Sequence, residues 1–140
     1  MRTVFYILWQ CIWGLPQTLL GFAVFLLHVG RPHSFYHGAI VTVWKKRSSA
    51  SMGLFLFIAE NAWSSPKRAE RLLVHEYGHT VQSLVLGPLF LPVVGLPSFL
   101  WAGLPVCQKL RTRKNISYYT FYPEKWADRW GEKVLGIKVT

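Results

Sequence analysis

The hydrophobic positions of this chain gather into two long uncharged runs, with shorter patterned stretches between and after them. Residues 4–29 (VFYILWQCIWGLPQTLLGFAVFLLHV) contain no Lys, Arg, Asp or Glu. A run of 26 residues is long enough to cross a bilayer as one tilted helix. Arg2 and Arg31 bracket it, and Trp9 and Trp13 suit a membrane interface. A removable signal peptide fits poorly, because the run is too long and no small-residue cleavage site follows. Pro16 and Gln17 in mid-run predict a kink or a protein contact there.

Residues 38–60 change period. GAIVTVW and MGLFLFIAE are rich in β-branched and aromatic residues, which suit a pleated surface. With polar KKRSSAS between them, they predict a β-hairpin with a five- to seven-residue connection. Ser64-Ser65-Pro66 marks a helix start, since serine accepts from exposed N–H groups and proline is tolerated in the first turn. That helix is expected over 66–86, stopping at Gly87-Pro88. The second uncharged run, 84–106, is interrupted by Pro88, Pro92, Pro97 and Pro105 and by three glycines. A straight spanning helix is not built this way, so a broken re-entrant or membrane-surface segment is expected. Pro123 opens a last helix, expected over 123–134. The fold class expected is mainly α with a small β-hairpin (α+β). An N-terminal transmembrane helix (residues 1–31) would precede one small domain (residues 32–140).

Composition changes this picture in two ways. Apolar residues make up 51% and charged residues only 16%, too apolar for an ordinary soluble domain, so part of the chain is expected in lipid. The formal net charge is +10, and basic clusters (Lys45, Lys46, Arg47; Arg111, Arg113, Lys114) sit beside apolar segments. No nucleic-acid module accompanies them. The expected partner is therefore an anionic lipid bilayer, with no nucleic acid, and the site-bearing part is expected on the cytoplasmic face. Cys11 and Cys107 form neither a disulfide framework nor a zinc–thiolate pattern, and read as buried thiols.

The chemistry lies in His75-Glu76-Tyr77-Gly78-His79, an H-E-x-x-H sequence in the expected 66–86 helix. Helical residues four apart differ by about 40° around the axis, so both imidazoles point to one side and can share a zinc ion. Glu76 stands beside them as the catalytic base, suited to take a proton from a water that the ion polarises. A catalytic zinc needs a third protein ligand. The chain has only six acidic residues, and Glu124 and Asp128 are four apart on the last expected helix. Glu124 is the candidate metal ligand. Asp128 is the candidate hydrogen-bond acceptor behind a histidine ligand, fixing its tautomer. The competing reading is a solvated acidic pair beside Lys125 and Arg129. Tyr118, Tyr119, Tyr122, His33 and His37 are candidate oxyanion donors by position only, and His28 reads as a buried or interfacial histidine.

H-E-x-x-H followed by E-x-x-x-D on a later helix resembles the gluzincin-type zinc metallopeptidases. The resemblance covers two short motifs, at 75–79 and 124–128. It implies zinc held by His75, His79 and Glu124, a general base at Glu76 and a supporting aspartate at Asp128. It also implies extended peptide substrate bound along an edge strand ahead of the metal helix, which the 38–60 segment is placed to supply.

The motif constrains topology. His79 precedes the second apolar run and Glu124 follows it, so that run must return to its own side for the ligands to meet. The function expected is a membrane-associated zinc metallopeptidase acting on a peptide or protein. The alternative is a non-catalytic membrane protein with a structural or vestigial zinc site, working through partner binding.

Overall fold

The computed structural model describes residues 2–46 and 48–139. Arg47 and the side chain of Arg2, used above as charge markers, lie outside the described residues. The molecule is mainly helical with one small mixed sheet, an α+β arrangement.

The first apolar run does not form one helix. It makes α1 (Arg2–Ile12) and α2 (Leu15–Leu27), bent by 98° between Ile12 and Leu15. Pro16 lies in the first turn of α2, where its missing N–H costs nothing. Gly14 at the elbow has no room for a side chain, because a Cβ would lie 2.6 Å from Gln10 Oε1 and 2.8 Å from Ser83 Oγ. Among the described residues, no single helix is long and apolar enough to cross a membrane. The single transmembrane helix expected is therefore replaced by a bent pair, with the break just before Pro16, where the sequence predicts a kink. The physical reason lies in Gln10 and Gln17, whose amides need partners once buried and find them on the helix that carries His75.

The sheet also departs from the expected hairpin. β1 (His33–Tyr36), β2 (Ala39–Trp44), β3 (Ala50–Met52) and β4 (Phe55–Ala59) stand in the order β1-β2-β4-β3. The two predicted strands, β2 and β4, do pair, but in parallel, with Thr42 opposite Phe57. The antiparallel hairpins are β1–β2 and β3–β4. The polar 45–49 loop thus carries the chain past one strand position to β3, and β4 returns into the gap. β4 is buried along its whole length, so its FLFIA sequence shows no alternation. Phe57 stacks on Trp44 with ring centres 5.0 Å apart, at the centre of the core.

α3 (Pro66–Leu86) forms as expected, with Pro66 in its first turn and Gly87, at φ 56°, after its end. Its last carbonyls, which no intrahelical N–H can reach, and that of Gly87 are met by α1, α2 and the elbow between them. Trp9 Nε1 donates to Leu84 O (2.8 Å), Trp13 Nε1 to Val85 O (3.3 Å) and Gln17 Nε2 to Gly87 O (3.0 Å). The second apolar run is broken as expected, but its backbone stays helical. A 3-10 turn (Gly87–Leu89) and a π turn (Leu91–Gly95) lead into α4 (Leu96–Gly103), which bends by 71° into the basic α5 (Pro105–Lys114). α6 (Tyr122–Leu135) closes the molecule against α3 and ends on the left-handed Gly136.

Candidate metal centre

Two glycines decide how closely α3 and α6 approach. A Cβ on Gly78 would lie 1.8 Å from Ala127 O, and one on Gly131 would lie 2.2 Å from Val74 O. The helix backbones therefore touch, which only glycine allows. His75 and His79, on the α3 face toward α6, then meet Glu124 and Asp128 on the α6 face toward α3.

His75 Nε2 is 2.8 Å from Glu124 Oε2, and His79 Nε2 is 3.1 Å from the same oxygen. These three ligand atoms lie within 4.8 Å of one another, all on buried residues. The other ring nitrogens are engaged behind them. His75 Nδ1 is 2.9 Å from Asp128 Oδ1, and His79 Nδ1 is 2.7 Å from Gln82 Oε1. Gln82 Nε2 donates to Pro123 O, so its carbonyl oxygen faces the histidine. Both imidazoles thus carry Nδ1–H, and each turns Nε2 toward the carboxylate. Two lone-pair nitrogens and an ionised oxygen at these distances repel unless protons or a cation stand between them. Glu124 is fully buried, and its Oε1 has no hydrogen-bond partner among the described residues. The donor set fits a metal ion, with the outer partners fixing tautomer and ring orientation.

Electrostatics agree with the geometry. Burial works against a charged His75, but the bonds to Asp128 and Glu124 outweigh it and raise its pKa to about 10. Burial likewise works against ionised Glu124, yet the bonds from His75 and His79 hold it far below the usual carboxylate range. With no metal bound, the cluster therefore favours a protonated His75 beside an ionised Glu124.

Glu76 is buried beside the cluster. Burial raises its pKa, with the neighbouring histidines opposing that and Glu124 and Asp128 adding to it. A carboxyl group poised in this way can exchange a proton with a nearby reacting atom. Of the candidate donors, Tyr118 and Tyr119 come to the centre. Burial, Glu124 and Glu76 push the Tyr118 phenol up, and the Tyr119 ring packs edge-on against His75 at 5.0 Å. Tyr122 instead donates to Val93 O. His33 bonds Thr42 and Val29 in the sheet region, His37 turns the chain between β1 and β2, and His28 packs on Trp44.

Two site residues escaped the sequence reading. Gln82 follows His79 by three on the same helix, a spacing that puts them in reach. Arg71 precedes His75 by four; it lies 3.5 Å from Asp128 Oδ2, donates to Val139 O and covers the Tyr119 ring at 4.3 Å. Nothing in the sequence shows that α6 and the C-terminal strap supply its partners. No protein-family model, curated protein or solved structure matches the chain, so its chemistry has to be read from the buried His75–His79–Glu124 cluster.

Proposed function

We propose that the protein is a zinc-dependent peptidase attached to a membrane. The observation that supports this is the convergence of two Nε2 atoms and one buried carboxylate oxygen, with both Nδ1 atoms held from behind. Two imidazoles and a carboxylate suit zinc among the common divalent ions. Zinc, when bound, supplies positive charge that polarises a carbonyl and acidifies an attacking water. Glu76 takes the proton from that water and passes it to the leaving amine. The ligand cluster holds three protein groups among the described residues, which leaves a coordination position for substrate. A structural site would use a fourth protein ligand and would have no need of Glu76. Extended peptide is the favoured substrate because β1 is an edge strand with exposed side chains, on which a further strand can form.

The test is zinc content and peptide hydrolysis of the detergent-purified chain, beside Glu76→Gln and Glu124→Ala. About one zinc per chain is expected. Glu76→Gln should keep the metal and lose hydrolysis by roughly 10²-fold or more. Glu124→Ala should weaken metal binding. Absence of zinc binding in the wild type would reject the reading. Full activity in Glu76→Gln would reject the role given to Glu76.

A further inference from the structure

We infer that the apolar end of the molecule seats in one leaflet of an anionic bilayer, without crossing it, and holds the metal centre just above the headgroups. Its consequence for substrate rests on the peptidase reading; the docking itself does not.

The first observation is an inversion of polarity. Along α1 and α2 the glutamines are inside and the hydrocarbon is outside. Gln10 and Gln17 are 0% exposed, whereas Ile12 is 73% and Leu27 82% exposed. The buried amides join a seam with α3, in which Gln17 Oε1 alone has no partner among the described residues. Gln10 Nε2 donates to Thr80 O (2.9 Å), Gln17 Nε2 to Ser83 Oγ (2.6 Å), and Ser83 Oγ to Gln10 Oε1 (2.8 Å). Segment 85–106 continues the apolar exterior, with Phe99 73% exposed. Both segments surround one end of α3, because Trp9, Trp13 and Gln17 bond its last carbonyls and 87–106 leaves from the same place. Water tolerates a polar exterior around an apolar core; a hydrocarbon solvent favours this reverse order.

The second observation is length. At about 1.5 Å per residue, α1 and α2 are roughly 16 and 20 Å long; bent by 98°, they span about 24 Å end to end, short of the ~30 Å hydrocarbon core. The second pair ends in α5, whose Lys109, Arg111, Arg113 and Lys114 bar it from the core.

The third observation is charge. α5 leaves one side of the apolar end. Lys46, exposed, lies over Trp44, which packs on His28 just past the end of α2. No acidic residue occurs in 4–29 or 84–114. This basic rim matches anionic headgroups, so the occupant is lipid and not a second copy of an equally basic chain. His79 stands seven residues before Leu86, about 10 Å along the helix from the embedded end. The bond within reach is then one close to where a membrane-anchored polypeptide leaves the bilayer.

The experiment uses the full chain with sealed vesicles of equal parts phosphatidylcholine and phosphatidylglycerol. Flotation is expected for the wild type, with a roughly tenfold or greater loss in Ile12→Glu and Phe99→Glu, two exposed positions. Thr3→Cys and Gly30→Cys, each in a Cys11→Ser, Cys107→Ser background, should both react with an impermeant maleimide without lysis. Thr3 is exposed, and a Cβ on Gly30 meets nothing within 4 Å. If one of the two reacts only after lysis, the run crosses the membrane and the inference fails. It fails equally if the glutamate variants float unchanged, or if the wild type stays off the vesicles as a stable dimer. Zinc measured on the same samples separates the two readings. A chain that floats without zinc loses the peptidase reading alone, and one that binds zinc without floating loses the docking and the membrane attachment but keeps the zinc chemistry.

Discussion

Gly78→Ala is the most searching single change, because it tests whether the metal site depends on backbone contact between α3 and α6. The added Cβ would start 1.8 Å from Ala127 O, against the 3.4 Å of ordinary contact, so about 1.6 Å of separation (3.4 − 1.8) has to be found. The obstacle is backbone, which cannot swing aside. Moving α6 away by this amount carries Glu124 with it. Zinc–ligand distances tolerate only about ±0.2 Å, so the carboxylate is pulled out of range or the helices are forced back under strain. Overpacking of this kind costs about 1–3 kcal/mol. Alanine gains about 1 kcal/mol over glycine in a helix interior, so net destabilisation of the metal-free fold is about 0–2 kcal/mol. The metal affinity should fall as well, by roughly tenfold or greater, as for a disturbed ligand environment. Chelator competition measures the affinity, and thermal unfolding of metal-free protein in detergent measures the fold. Gly103→Ala is the matched control, since a Cβ there meets nothing within 4 Å. Unchanged zinc affinity in Gly78→Ala would refute the claim that glycine-enabled contact sets the site.

Three further outcomes are expected. Asp128→Asn and Gln82→Ala should each lower zinc affinity by about 10–100-fold while leaving stoichiometry intact at high metal, because both act through the Nδ1 of a ligand; titration with a competing chelator checks this. Gln17→Leu removes the donor to Ser83 Oγ and Gly87 O, and should cost about 1–3 kcal/mol for the buried acceptors left unpaired, seen as a lower unfolding midpoint in detergent. In metal-free protein, the folded-state pKa of His75 is raised to about 10 from an ordinary 6.5. Its protonation therefore stabilises the fold fully below pH 6.5, and that contribution is lost as pH rises toward 10. The same proton competes with the metal, so zinc affinity should climb over this interval; denaturant unfolding and metal titration across pH should show opposite slopes, and parallel slopes would refute the assignment.

Much of the candidate metal site was legible in the chain because its parts are local. The four-residue spacings of His75 with His79 and of Glu124 with Asp128 place each pair on one helix face by helical geometry alone. Pro66 and Gly87 bound α3 through backbone chemistry that acts within a turn, while the expected serine cap is not made, because Ser65 accepts no capping bond and Ser64 Oγ turns back to Asn61 O. The remainder depended on distant partners. A 26-residue uncharged run has the same composition straight or bent. What bends it is the demand of Gln10 and Gln17 for acceptors on Thr80, Ser83 and Gly87, some seventy residues away. The strand character of 39–44 and 55–59 shows in their side chains, but parallel pairing follows from β3 occupying the far side of β4, a choice of sheet order that periodicity does not encode. Arg71 acquired its role only when Gly78 and Gly131 let α6 close on α3, whereas Gln82 reaches His79 within one turn of α3 and takes only its orientation from α6, through Pro123 O.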